Sequence, residues 1–200
     1  MSPAVLYRQL PGEGLDAFIA RFRKAAGRDP FGTVFIVPTS SLAREVARRL
    51  GEEGVPMVTD AVTTLSGFAR KVFVAHAASE TPIPAAGSRF ILARLLASGD
   101  YPLLSGAGAV DELATLFTVL TMRKVDYPAA LGEMQSEKSA EIARLLNAYL
   151  RFLDKHRLVD ESTLTARAVG LIADSREFRT VFVYGLFEPM PLERDLLLAL

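Results

Sequence analysis

The chain has 200 residues, half of them apolar, and 23 Lys and Arg against 23 Asp and Glu, so its formal charge is zero. That balance gives no overall field to attract nucleic acid, and any such contact requires a local patch. There is no Cys, and His76 and His156 are the two histidines, which excludes disulfides, thiolate chemistry and His-rich metal sites; no apolar run of membrane-spanning length and no signal segment is apparent, so a cytoplasmic protein with no membrane contact is expected.

The first predicted element is a short strand, Ala4-Val5-Leu6-Tyr7, followed by the turn Pro11-Gly12-Glu13-Gly14 and a helix with Phe18, Ile19 and Phe22 on one face. Strand, glycine turn and helix form the geometry of a phosphate cradle. Such a cradle also needs a Lys for the terminal phosphates and a hydroxyl for the metal. Aligning Gly14 with the last glycine of that motif puts Leu15 at the Lys position and Asp16 at the hydroxyl position. An aspartate there occupies the anion-favouring end of the helix dipole and repels phosphate.

The next unit is clearer. Val34-Phe35-Ile36-Val37 is a continuous apolar strand, Pro38-Thr39-Ser40-Ser41 a turn with capping hydroxyls, and Leu42 to Leu50 a helix with Leu42, Val46 and Leu50 inward. Arg44, Arg48 and Arg49 lie on its polar side. Hydroxyls and backbone amides at a helix start suit a backbone phosphate, and the arginines extend that contact. The same residues also serve as plain helix caps and a solvated face, and the sequence leaves both readings open. A third repeat is expected from a β-prone stretch over 55–62, then Thr63-Thr64 and a helix with Leu65, Phe68, Val72 and Phe73 at helical spacing. Alternation of strand and helix argues for an α/β fold with a parallel sheet.

From 86 to 175 the strands are expected to give way to helices. Apolar faces recur over Ser88 to Ser98, Val110 to Arg123 and Lys138 to His156, and a fourth helix capped by Asp160 or Ser162 runs through Leu164, Ala168 and Ile172. Pro128 and Gly132 mark a joint. His156, between Lys155 and Arg157 near a helix end, reads as a surface residue. The sheet resumes at Val181-Phe182-Val183, turns at Tyr184-Gly185, and hands over to a Leu-rich helix opening at Pro191 with Glu193 in its first turn. That apolar pattern reaches Leu200 uncapped, so a longer chain is expected. The carboxyl ends of parallel strands are where a site is sought. Tyr184 to Glu188 therefore stands where a nucleotide-driven motor needs an acid pair, and Tyr184 and Gly185 do not supply one.

This order of parts resembles the front half of a superfamily 1 helicase motor. More narrowly, Tyr184-Gly185-Leu186, Met190-Pro191 and Glu193, together with Lys138 to Ile142, Asn147-Ala148-Tyr149 and Asp160, are similar in spacing to the N-terminal helicase-like region of the AddB-type chain of AddAB helicase/nucleases. The resemblance implies a P-loop, RecA-like core over 1–78 and 177–200 with an all-helical subdomain inserted over 86–175. It implies backbone contacts to single-stranded DNA at Thr39, Ser40 and Thr64, to which the sequence adds Ser41, Arg44 and Arg48. It sets Gly12, Gly14, Leu15 and Asp16 at a degenerate phosphate loop, and Tyr184, Gly185 and Glu188 at a degenerate acid site. The implied protein is no enzyme over this stretch, takes no cofactor or metal, supports an active A-type helicase/nuclease partner in DNA repair and recombination, and carries any nuclease domain further downstream. A protein-docking scaffold without DNA contact, or an ATPase with an atypical site, are the alternative readings.

Overall fold

The protein is described from a computed structural model that covers residues 5–8, 12–58, 60–77, 79–134, 136–172 and 178–200. Ala4, Pro11 and the expected domain limits at 78, 175 and 177 lie outside the described residues. Two compact units are distinguished. The first comprises Met1–His76, Ala168–Pro189 and Glu193–Leu200; the second comprises Ala77–Arg167 and Met190–Leu192.

The first unit is an α/β sheet structure. Strands β1 (Val5–Arg8), β2 (Thr33–Val37) and β3 (Val62–Thr64) alternate with helices α1 (Leu15–Ala26), α2 (Ser40–Glu52) and α3 (Leu65–His76). A later strand, Thr180–Val183, enters between β1 and β2, and every pairing in this four-stranded sheet is parallel. β2 is buried at all five positions, as a strand covered on both faces must be, and its Val34 to Val37 run is what made it legible. Phe18 and Phe22 of α1 lie 5.4 and 5.2 Å from the Phe35 ring, and both meet Phe182 edge-on at 5.5 Å. Fully buried phenylalanines of this kind contribute about 1.5–3 kcal/mol each by burial alone.

The third strand differs from expectation. The stretch 55–58 is irregular and β3 starts at Val62. Pro56 has no N–H to give a ladder, which disfavours an interior strand there.

The second unit contains β4 (Thr81–Pro82), α4 (Ala85–Leu96), a 3₁₀ turn at Pro102–Leu104, α5 (Ala109–Met122), α6 (Tyr127–Glu133), α7 (Glu137–Lys155) and β5 (Leu158–Val159). Its core joins Leu92, Leu113, Phe117, Leu145 and Tyr149. Tyr149 is buried and donates to Asp160 Oδ2 at 2.9 Å, and burial followed by the Asp160 charge pushes its phenol well above the usual range. The buried Glu141 carboxylate accepts from the Leu103 N–H at 3.0 Å and ties the 3₁₀ turn to α7. Two expectations are corrected here. Helices do not run alone over 86–175, because Leu158–Val159 pairs in parallel with Thr81–Pro82. Nor do Pro128 and Gly132 mark a joint: both lie within α6, with Pro128 in the first turn, where its missing N–H has no intrahelical use.

Helix α8 (Glu161–Ile172) is capped by Asp160, whose Oδ1 accepts from the Thr163 N–H at 2.8 Å. β6 (Thr180–Val183) and α9 (Pro191–Leu198) complete the chain order, and α9 opens at Pro191 as its sequence predicts. No helix among the described residues is long and apolar enough to cross a membrane.

Candidate functional site

Because the strands run parallel, β2, β3 and β6 discharge their chains at one sheet edge. The register pairs Val37 with Thr64 and Ile36 with Val183, so the turns that follow start side by side. After β2, Thr39 takes extended backbone angles (φ −133°, ψ 150°), and its Oγ1 accepts from the Leu42 N–H at 3.2 Å, starting α2. Ser40 and Ser41 follow in the first turn, where backbone N–H groups have no intrahelical acceptor. After β3, the Thr64 hydroxyl accepts from the Gly67 N–H at 3.1 Å and lies 3.2 Å from Ser66 Oγ, starting α3 in the same way. Gly67 leaves room at this corner: a β-carbon there would stand 2.3 Å from Thr63 Oγ1, so a larger residue needs the Thr63 side chain to turn aside.

Between the two caps lies an open groove of about 590 Å³. Its polar lining is Ser40, Arg44, Asp60, Thr63 and Thr64, and its apolar lining includes Ala43, Ala47, Met57 and Val58. The volume falls within the range of ordinary ligand pockets. Ser40, Arg44 and Thr64 of the sequence-derived set are thus brought together. Thr39 and Ser41 stand beside the groove, the first as cap and the second within 3.5 Å of Arg44 Nη2. Asp60 is not in that set; it adopts a left-handed conformation with φ 63°, which Asp tolerates better than most residues, and adds a carboxylate to the groove lining.

The three arginines of α2 separate by partner. Arg48 is held between Glu45, at 2.8 Å, and Glu52, and does not line the groove. Its hydrogen bonds to Glu45 and then Glu52 raise its pKa further, while the Arg48 hydrogen bond holds the Glu45 carboxyl below its usual range. Arg49 reaches Asp16 of α1 at 2.6 Å, which raises its pKa as well. Among the described residues Arg44 alone of the three has no carboxylate partner. The Arg48 pairing was readable beforehand, since Glu45 and Glu52 sit three and four residues away on the same helical face. Asp60 gave no such signal.

At the candidate phosphate loop, Gly12 has φ +80° and Gly14 heads α1 without a side-chain cap. Leu15 packs on the core, Asp16 is engaged by Arg49, and Glu13 pairs with Arg21. Two carboxylates therefore stand around the amino end of α1, each paired with an arginine. At the candidate acid site, the Tyr184 N–H extends the ladder to Ile36 O at 3.0 Å, and its ring packs 5.7 Å from Phe18. Gly185 has φ +74°, and a β-carbon on it would approach the Pro38 ring to 3.2 Å. Glu188 is exposed. Among the described residues no group of three or more His, Cys, Asp or Glu side chains is positioned to hold a metal ion. His76 is exposed at the end of α3, and His156 closes α7 with its ring 4.4 Å from Phe152.

This edge presents hydroxyls, helix-start amides and one guanidinium without a carboxylate partner, with an apolar strip alongside. Comparison of the sequence with protein-family models and with curated proteins finds no match.

Proposed function

We propose that this chain is a helicase-like module without a working nucleotide site that binds single-stranded DNA at the carboxyl edge of β2 and β3. In this reading the parallel sheet is of RecA-like type, the helices over 86–175 form an inserted subdomain, and an active A-type helicase/nuclease partner in the cytoplasm supplies the motor. The observation that carries it is the groove joining Ser40, Arg44 and Thr64, with helix α2 starting at Ser40 behind its Thr39 cap and α3 starting at Leu65. Backbone phosphates suit helix-start amides and hydroxyls, and the apolar strip of Ala47, Met57 and Val58 suits the less polar parts of an extended strand. The carboxylates at Glu13 and Asp16 and the aromatic at Tyr184 support the absence of ATP hydrolysis, which needs compensating cations and a metal-binding acid at those points.

The test is a titration of labelled oligothymidylate at increasing salt. Binding is expected to be weak and salt-sensitive, and Arg44→Ala is expected to lower the salt slope by about 0.7, the value for one phosphate on a single strand. Arg48→Ala is expected to leave the slope unchanged because Glu45 and Glu52 already compensate that charge. No binding at low salt, or equal losses from the two substitutions, would sink the reading. A docking-scaffold reading is favoured by one observation, a cavity of about 250 Å³ in the second unit floored by Leu104, Leu113, Leu116 and Ile142; it predicts no oligonucleotide binding at all.

A further inference from the structure

Two aromatic side chains follow β6 at the sheet edge that carries the groove. Tyr184 is taken up by the core, where its ring meets Phe18. Phe187 is 73% exposed and stacks on no other ring among the described residues. Phe31, similarly exposed, precedes β2 and so belongs to the opposite edge of the sheet. The root of the Phe187 loop is fixed to β2 and its turn: the Tyr184 N–H is bonded to Ile36 O, and a β-carbon on Gly185 would meet the ring of Pro38, two residues before the groove-lining Ser40. Phe187 is two residues on, within about 7.6 Å of Gly185 measured between α-carbons.

We propose that Phe187 is a stacking platform for an unpaired nucleobase, an inference that rests on the single-strand reading given above and extends it from backbone to base. A single strand held by its phosphates in the groove has bases free to leave its axis. An exposed ring on an anchored loop at the same edge offers one of them a face. The carboxylate of the adjoining residue, Glu188, is exposed and repels phosphate, so the strand passes this point with base rather than backbone against the loop. Stacking of this kind tolerates any base, because each has a π-face.

The experiment compares labelled oligothymidylate with an abasic sugar-phosphate strand of equal length, using the full 200-residue chain and its Phe187→Ala, Phe187→Trp and Arg44→Ala variants. Thermal unfolding of each variant checks that the fold is kept. Phe187→Ala is expected to weaken oligothymidylate binding by roughly 5- to 100-fold with an unchanged salt slope, and to bind the abasic strand as the unsubstituted chain does. Phe187→Trp retains binding, whereas Arg44→Ala weakens both ligands. If Phe187→Ala binds oligothymidylate normally while Arg44→Ala does not, the platform is refuted and the single-strand reading survives. Equal loss on both strands also refutes stacking. If the unsubstituted chain binds neither strand, the underlying reading fails and the platform with it.

Discussion

Gly185 illustrates how one residue ties sequence to site. The helicase resemblance sets this position at an acid pair, yet its positive φ, and the 3.2 Å at which an added β-carbon would stand from the Pro38 ring, make it a steric one. Any L-residue there meets both a left-handed backbone penalty of about 1–2 kcal/mol and a proline ring. Gly185→Ala is therefore expected to lower unfolding stability by about 1–3 kcal/mol, measured by denaturant titration, and a neutral result would mean that the loop moves freely off Pro38. The arginines teach a similar lesson. Arg44 and Arg48 are equivalent as letters on one helix, and only the spacing of Glu45 and Glu52 distinguishes them.

At the scale of elements, what was legible followed strong periodicity. The Phe18, Ile19 and Phe22 stripe and the Val34 to Val37 run both became buried core. What was missed was short or punctuated: α6, because Pro128 and Gly132 look like breakers, and β5, because two residues carry no period. β3 lies several residues later than its apolar letters suggest, since its position is set by pairing with Phe35 to Val37. The groove's membership depends on that register, so Asp60 and Thr63 could not be named from local sequence. α1 offers a direct check on the core assignment. Phe22→Ala is expected to cost about 3–5 kcal/mol, because its ring fills the space between Phe35 and Phe182; a cost below about 1 kcal/mol would show that α1 is not packed as described.

For the molecule as a whole, neutrality recurs at every level. The formal charge is zero, Arg48 and Arg49 of α2 are matched by carboxylates, and the groove lining carries one acid, Asp60, as well as one base, Arg44. At α1 the positive charges of Arg21 and Arg49 are each paired with a carboxylate, Glu13 and Asp16. Magnesium-ATP is accordingly expected to leave the melting temperature unchanged. A ligand present at one hundred times its dissociation constant would add about 2.7 kcal/mol, so a clear upward shift would revive the ATPase reading.

The pairing of Val37 with Thr64 has a further consequence. Since both turns hang from adjacent rungs of one ladder, slipping either strand by a single position would turn its side chains to the other face and dismantle the groove. Side chains that merely decorate the rim, such as Ser41 and Ser66, carry no such obligation. The frame is consequently fixed by the ladder, and side chains at its rim can be exchanged without rebuilding the sheet beneath.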